Sequence, residues 1–151
     1  MKQVSIILFI TVLFCSVLVS SALALCVRVS KANVRTGPGT NYNVAWQVYM
    51  YMPFAKTGLS NDKEWYAVKD VDGDIFWIHK NLVTESYKCA VVKSDKVNVR
   101  KGPGTGYGTV KDSPAQKYFS YRVLSTQGNW VRLRDEWGGI GWVRRNFLWI
   151  Q

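Results

Sequence analysis

Hydrophobic and polar positions divide the chain into one long apolar run and a series of short alternating segments. Val4 to Val19 carries no charge. After it no stretch sustains a 3.6-residue apolar period, and the pattern becomes the two-residue alternation of half-buried strands. Cys26-Val27-Arg28-Val29 alternates in this way, and Val44 to Phe54, rich in aromatic and β-branched residues, reads as one strand ended near Pro53. Trp65 to Lys69 and Ile75 to Ile78 are joined through Asp72-Gly73, a hairpin signal, and a short strand follows near Val83. The second half gives the same order, with strands around Val91, Val123, Val131 and Trp142 and a last one from Phe147 to Ile150.

That order recurs because the chain repeats itself. Asn33-Val34-Arg35-Thr36-Gly37-Pro38-Gly39-Thr40 returns as Asn98-Val99-Arg100-Lys101-Gly102-Pro103-Gly104-Thr105, with Tyr42 and Tyr107 two residues on. The period is about 65 residues, too long for a solenoid unit and right for two small domains. Trp65 then falls on Trp130, Asp70 on Asp135, Gly73 on Gly138, Trp77 on Trp142 and Asn81 on Asn146, a register that reads as free of gaps. Short strands with regular turn signals predict an all-β fold, and at this size a barrel closes its own edges better than a sandwich. The expected architecture is two tandem small β-barrels, over residues 25–87 and 88–151. Ser86-Tyr87-Lys88 is too short for a flexible linker, so the two are expected to pack at a fixed angle.

The apolar run reads as a signal peptide over residues 1–24. Lys2 supplies a basic start, and Ser20-Ser21-Ala22-Leu23-Ala24 the small residues of a cleavage site, so the mature chain is expected to begin near Leu25 with no transmembrane anchor. A retained membrane span and a lipid anchor on Cys26 are the competing readings. Export leaves Cys26 and Cys89 as an even pair in an oxidising compartment. The first and last strands of a closed barrel are neighbours, which places these two within reach of a disulfide around domain one. The formal charge of +10 is unevenly shared: 25–88 holds eight basic and six acidic residues, 89–151 eleven and four. A basic exported domain favours anionic polymers, head groups or acidic proteins as partners.

With these residues in view the chain resembles the bacterial SH3-like (SH3b) family, in tandem. The turn N-V-R-x-G-P-G-T-x-Y, the later W-[YV]-x-[VL] and the closing G-x-I-x-W-[IV] carry the resemblance over nearly the whole mature chain. It implies SH3-like barrels and a non-catalytic targeting or binding module of the kind found in exported proteins and cell-wall hydrolases. Trp65-Tyr66-Ala67-Val68 and Trp130-Val131-Arg132-Leu133 are similar to the W-W-x-A strand of eukaryotic SH3 domains. The segments around Asn81 and Asn146 are similar to their terminal I-P-x-N-Y-V, but lack its proline and tyrosine, so proline-peptide recognition is not implied.

Candidate chemistry follows from face and charge. Val131 and Leu133 share one face of their strand and Trp130, Arg132 and Arg134 the other, which places Trp130 outside, beside positive charge. Trp130, Phe147, Arg132, Arg144 and Arg145 are the ligand-binding candidates, with Trp65 as the counterpart in repeat one; aromatic faces beside arginines suit carboxylates or peptide planes. Against this stands a purely structural role, tryptophans covering the barrel edge beside a solvated basic face. Asn33, Arg35, Gly37 and Pro38, with Asn98, Arg100, Gly102 and Pro103, read as structural turn residues. Trp46, Tyr49 and Tyr51, present only in repeat one, fit an interdomain contact or an exposed patch. His79 has no nucleophile at a recognisable spacing, and Asp70, Asp72 and Asp74 cluster at a turn too short for a calcium loop. The expectation is therefore no enzyme, no cofactor and no metal. The partner expected is a cell-wall polymer such as peptidoglycan or its stem peptides, and the alternative is an adaptor for an envelope protein, in the periplasm or outside the cell. Nucleic acid is not expected after export, and the oligomeric state is open.

Overall fold

The computed structural model describes residues 23–151, so the signal peptide expected over 1–24 lies almost wholly outside it. Repeat one holds seven strands: β1 (Leu23–Val27), β2 (Lys31–Arg35), β3 (Val44–Tyr49), β4 (Pro53–Leu59), β5 (Trp65–Lys69), β6 (Ile75–His79) and β7 (Val83–Thr84). They form one sheet in the order β3-β2-β6-β5-β4-β1-β7. A single buried cluster takes Leu25 and Val27 from β1, Val34, Val48, Phe54, Val68, Ile78 and Val83 from the other six. A seven-stranded sheet supplies one core from every strand only by curling around it, which makes the repeat a small SH3-like barrel. The first and last strands pair as expected, Cys26 opposite Thr84.

Repeat two follows with β8 (Cys89–Val92), β9 (Lys96–Val97), β10 (Ala115–Gln116), β11 (Ser120–Gln127), β12 (Trp130–Arg134), β13 (Ile140–Arg144) and β14 (Leu148–Ile150). One sheet runs β13-β12-β11-β8-β14, and β9 and β10 form a separate ribbon. Short 3-10 turns, Lys80–Leu82 and Arg145–Phe147, precede the last strand of each repeat.

Two expectations are corrected. Val44 to Phe54 is two strands, β3 and β4, because the chain turns at Met50-Tyr51, with Tyr51 at φ 68. The repeats are also not gap-free. Tyr51 and Tyr118 hold the same place, at φ 68 and 69, each donating its N–H to the partner valine, Val27 or Val92. They stand two residues further apart than the turn motifs or tryptophans do. Repeat two has inserted two residues between Thr109 and Ala115, breaking the β3-like strand, where Ser113 Oγ accepts the Val99 N–H at 3.1 Å. It has lost two from the β11–β12 turn, now Gly128-Asn129, where repeat one has Asn61 to Glu64. The two changes cancel in the sequence.

The same arginine contact holds the repeated turn in both copies. Arg35 donates to the carbonyl of Tyr42 and Arg100 to that of Tyr107, each at 2.7 Å. A Cβ at Gly37 or Gly102 would run into the ring of Tyr42 or Tyr107, so this close approach requires glycine. In the β5–β6 hairpin Asp70 Oδ1 accepts the N–H groups of Asp72 and Asp74 at 3.0 and 2.9 Å; Asp135 does the same for Trp137 and Gly139 at 3.0 and 2.7 Å. Burial raises the Asp70 carboxyl above its ordinary 3.8, against the pull of those N–H groups. The folded chain therefore holds this proton more tightly than the unfolded one, and the contribution to stability falls as pH rises from about 3.8 through the raised folded value. Asp70→Asn keeps the acceptor and removes the titration. Thermal unfolding across pH 3–7 should show a flatter curve with no loss of Tm at pH 7; a clear loss there would mean that the carboxylate charge itself holds the turn.

The repeats are fused through β8, whose four residues are all buried. Ala90 and Val92 enter the core of repeat two, while Val91, with Trp149 beside it, packs in the core of repeat one. Cys26 and Cys89 form a disulfide, Cα–Cα 5.8 Å, that ties β1 to β8. Ser120 Oγ donates to the Met50 carbonyl at 2.8 Å, and Tyr118 Oη to Asp72 at 2.6 Å. The guanidinium of Arg122 sits 4.5 Å above the Tyr87 ring.

Candidate functional site

The β12–β13 hairpin builds the first candidate surface. Alternation turns Val131 and Leu133 into the core and leaves Arg132 and Arg134 exposed, with Trp130 half-buried on their face. Trp130 stands opposite Arg144, whose guanidinium lies 5.9 Å from the indole. Trp130, Arg144 and Phe147 line one groove of about 480 Å³ together with Pro114, Lys96 and Arg100. Three cations and no carboxylate edge an apolar floor, a composition that suits an anionic group attached to an apolar or planar body. The other candidates lie apart. Arg132 faces Trp142 across the hairpin, and Arg145 borders a neighbouring hollow with Asn129 and Asn146 that shares Arg144 with the groove.

Trp65 differs from its counterpart. Sequence alternation puts it on the outer face, yet it is only 7% exposed. His79 meets it edge-on at 5.2 Å, and Glu64 lies 3.7 Å from His79 and bonds Lys80 at 2.7 Å. Ser60 Oγ accepts the Trp65 N–H. Where Trp65 has His79 and Glu64 beside it, Trp130 has Arg144 and Asn129 at the matching positions.

The second surface was not assembled from the sequence. A groove of about 470 Å³ runs between the repeats, walled by Trp46, Tyr49 and Met52 from one and by Tyr118, Phe119 and Trp137 from the other. Trp46 contacts Phe76 at 6.2 Å and Tyr118 at 6.3 Å between ring centres. Trp137, 75% exposed, is the most open large apolar side chain among the described residues. The available signal was the lack of counterparts: Trp46 and Tyr49 have none in repeat two, and Trp137 occupies the turn position held by Asp72 in repeat one. Among the described residues no cluster of three or more His, Cys, Asp or Glu is placed to hold a metal ion. No helix among them is long and apolar enough to cross a membrane.

Both repeats match the family model for the bacterial SH3 domain, over residues 28–85 and 93–149. The chain belongs to that family. It is 38% identical over 61 residues to "Putative N-acetylmuramoyl-L-alanine amidase YrvJ" of Bacillus subtilis, a match covering 40% of this chain and 11% of that protein. The chain thus spans about a tenth of its curated relative. Among solved structures it is similar to an NlpC/P60 family protein from Bacillus cereus, with TM-score 0.37, 11% identity, and coverage of 85% of this chain and 56% of that one. It is also similar to the endolysin LysPBC5 CBD, with TM-score 0.35, 15% identity, and coverage of 87% and 95%.

Proposed function

We propose that this protein is an exported, non-enzymatic binding module for the bacterial cell wall, and that the groove of Trp130, Arg144 and Phe147 takes carboxylate-bearing stem peptides of peptidoglycan. The observation that carries the reading is the lining of that groove: an apolar floor with Lys96, Arg100 and Arg144 around it and no acid. Membership of the bacterial SH3 family and the partial match to a protein named as an N-acetylmuramoyl-L-alanine amidase support the wall as the target. The disulfide is consistent with export.

Co-sedimentation of the mature, oxidised protein with purified sacculi tests this. Saturable retention should survive about 0.3 M salt, where the Debye length is well under 10 Å. Trp130→Ala should reduce retention at least tenfold while leaving the unfolding temperature within a few degrees, because the side chain is half-buried at the sheet surface. Retention lost with modest salt, or unchanged in Trp130→Ala, would refute the groove. No retention, with one saturable crosslinked protein in the native envelope, would favour an adaptor.

A further inference from the structure

We infer that the groove between the repeats is a second binding site, and that it takes neutral N-acetylhexosamine rings of a glycan strand. The inference rests on the wall-binding reading for the source of the saccharide but not for the chemistry of the site.

Three observations carry it. First, the groove is open and aromatic. Trp137 is 75% exposed, Tyr49 49% and Tyr118 40%, and its volume lies within the roughly 300–1,000 Å³ of small-ligand sites, which favour domain interfaces. The axial C–H groups of a pyranose carry slight positive charge and stack on the negative face of an aromatic ring. Second, Trp137 is not needed where it stands. The turn uses only its backbone N–H, which donates to Asp135, and the matching turn of repeat one is built with Asp72 instead. An indole 75% exposed, with the Phe119 ring 6.0 Å away, at a turn that repeat one makes with an aspartate, is a surface available for a ligand. Third, the charge is balanced. Lys117 and Glu136 are the charged residues of the lining, and Lys117 is 3.5 Å from Asp72. This contrasts with the three cations of the Trp130 groove and matches a ligand without charge. Gln47, its amide nitrogen fixed by Asn33 at 3.0 Å, and Glu136 place polar groups at the rim for hydroxyl and acetamido groups.

The test uses the full mature chain and chitotetraose, a soluble β-1,4-linked N-acetylglucosamine tetramer without peptide or charge. In a two-dimensional amide and indole NMR titration, shifts should centre on the indole N–H of Trp137 and Trp46 and on Phe119 and Tyr118. Affinity should be the same within twofold at 0.05 and 0.3 M salt. Trp137→Ala should weaken binding at least tenfold with the spectrum intact beyond Phe119, whose ring centre lies 6.0 Å from that of the indole, since the side chain is 75% exposed. Tyr49→Ala should weaken it less, and Trp130→Ala should leave it unchanged. No shifts at millimolar saccharide, shifts centred on Trp130, or full affinity in Trp137→Ala would each overturn the inference. Failure of sacculus retention with chitotetraose binding intact would count against the wall reading alone. Retention without chitotetraose binding would count against the glycan site alone.

Discussion

Replacing both Cys26 and Cys89 by alanine is expected to lower the unfolding free energy by about 4 kcal/mol, the loop-entropy value for a cross-link over 63 residues. For a chain of this size that is a fall in Tm of roughly 10–20 °C. Both residues are fully buried, so their alanines leave no polar group stranded and the loss reports the cross-link. The bond does more than close repeat one, because Cys89 is the first residue of β8 and belongs to the sheet of repeat two. Reduction should therefore loosen the contact between repeats as well, raising amide exchange at both β1 and β8. Calorimetry with and without reductant measures the first effect. A shift of less than a few degrees would show that the cores hold the chain without the bond.

Phe54→Ala is the second large effect. Phe54 is fully buried opposite Leu25, and truncation of such a ring costs about 3–5 kcal/mol through lost burial and the cavity left behind. The shape of the transition matters as much as its size. Val91 and Trp149 from repeat two pack into the same core, so damage there should be felt by both repeats. A single calorimetric transition at a lower temperature is expected. Two transitions, with the upper one unmoved, would show that the repeats unfold independently and that β8 does not couple them.

Much of this was readable in advance where local chemistry is strong. Gly37-Pro38-Gly39 and its copy announce a turn, Asp72-Gly73 a hairpin, and alternation sorts Val131 and Leu133 from Trp130 and Arg132. The left-handed turn at Tyr51 was not readable, because tyrosine gives no sign of it; tertiary pairing with Val27 imposes it. The compensating two-residue changes were hidden for a simpler reason: equal spacing at the two ends of a segment says nothing about its middle. Trp65 and Trp130 show what that concealed. Both obey the same alternation, but Trp65 meets the His79 ring edge-on where Trp130 has the Arg144 guanidinium. Only one wall of the groove between the repeats was readable: Trp46 and Tyr49 stood out as aromatics present in repeat one alone, whereas Tyr118, Phe119 and Trp137 gave no such sign.

A strand that serves two cores leaves no tether to relax. Where β8 joins the repeats, the distance and angle between the groove at Trp130 and the one at Trp137 are properties of the fold, not averages over a linker. Two weak contacts mounted this way reach a high effective concentration for each other, but only on a polymer whose spacing fits. If both grooves bind as proposed, such a chain would act as a caliper, its avidity rising steeply for one repeat distance and forfeited for the rest.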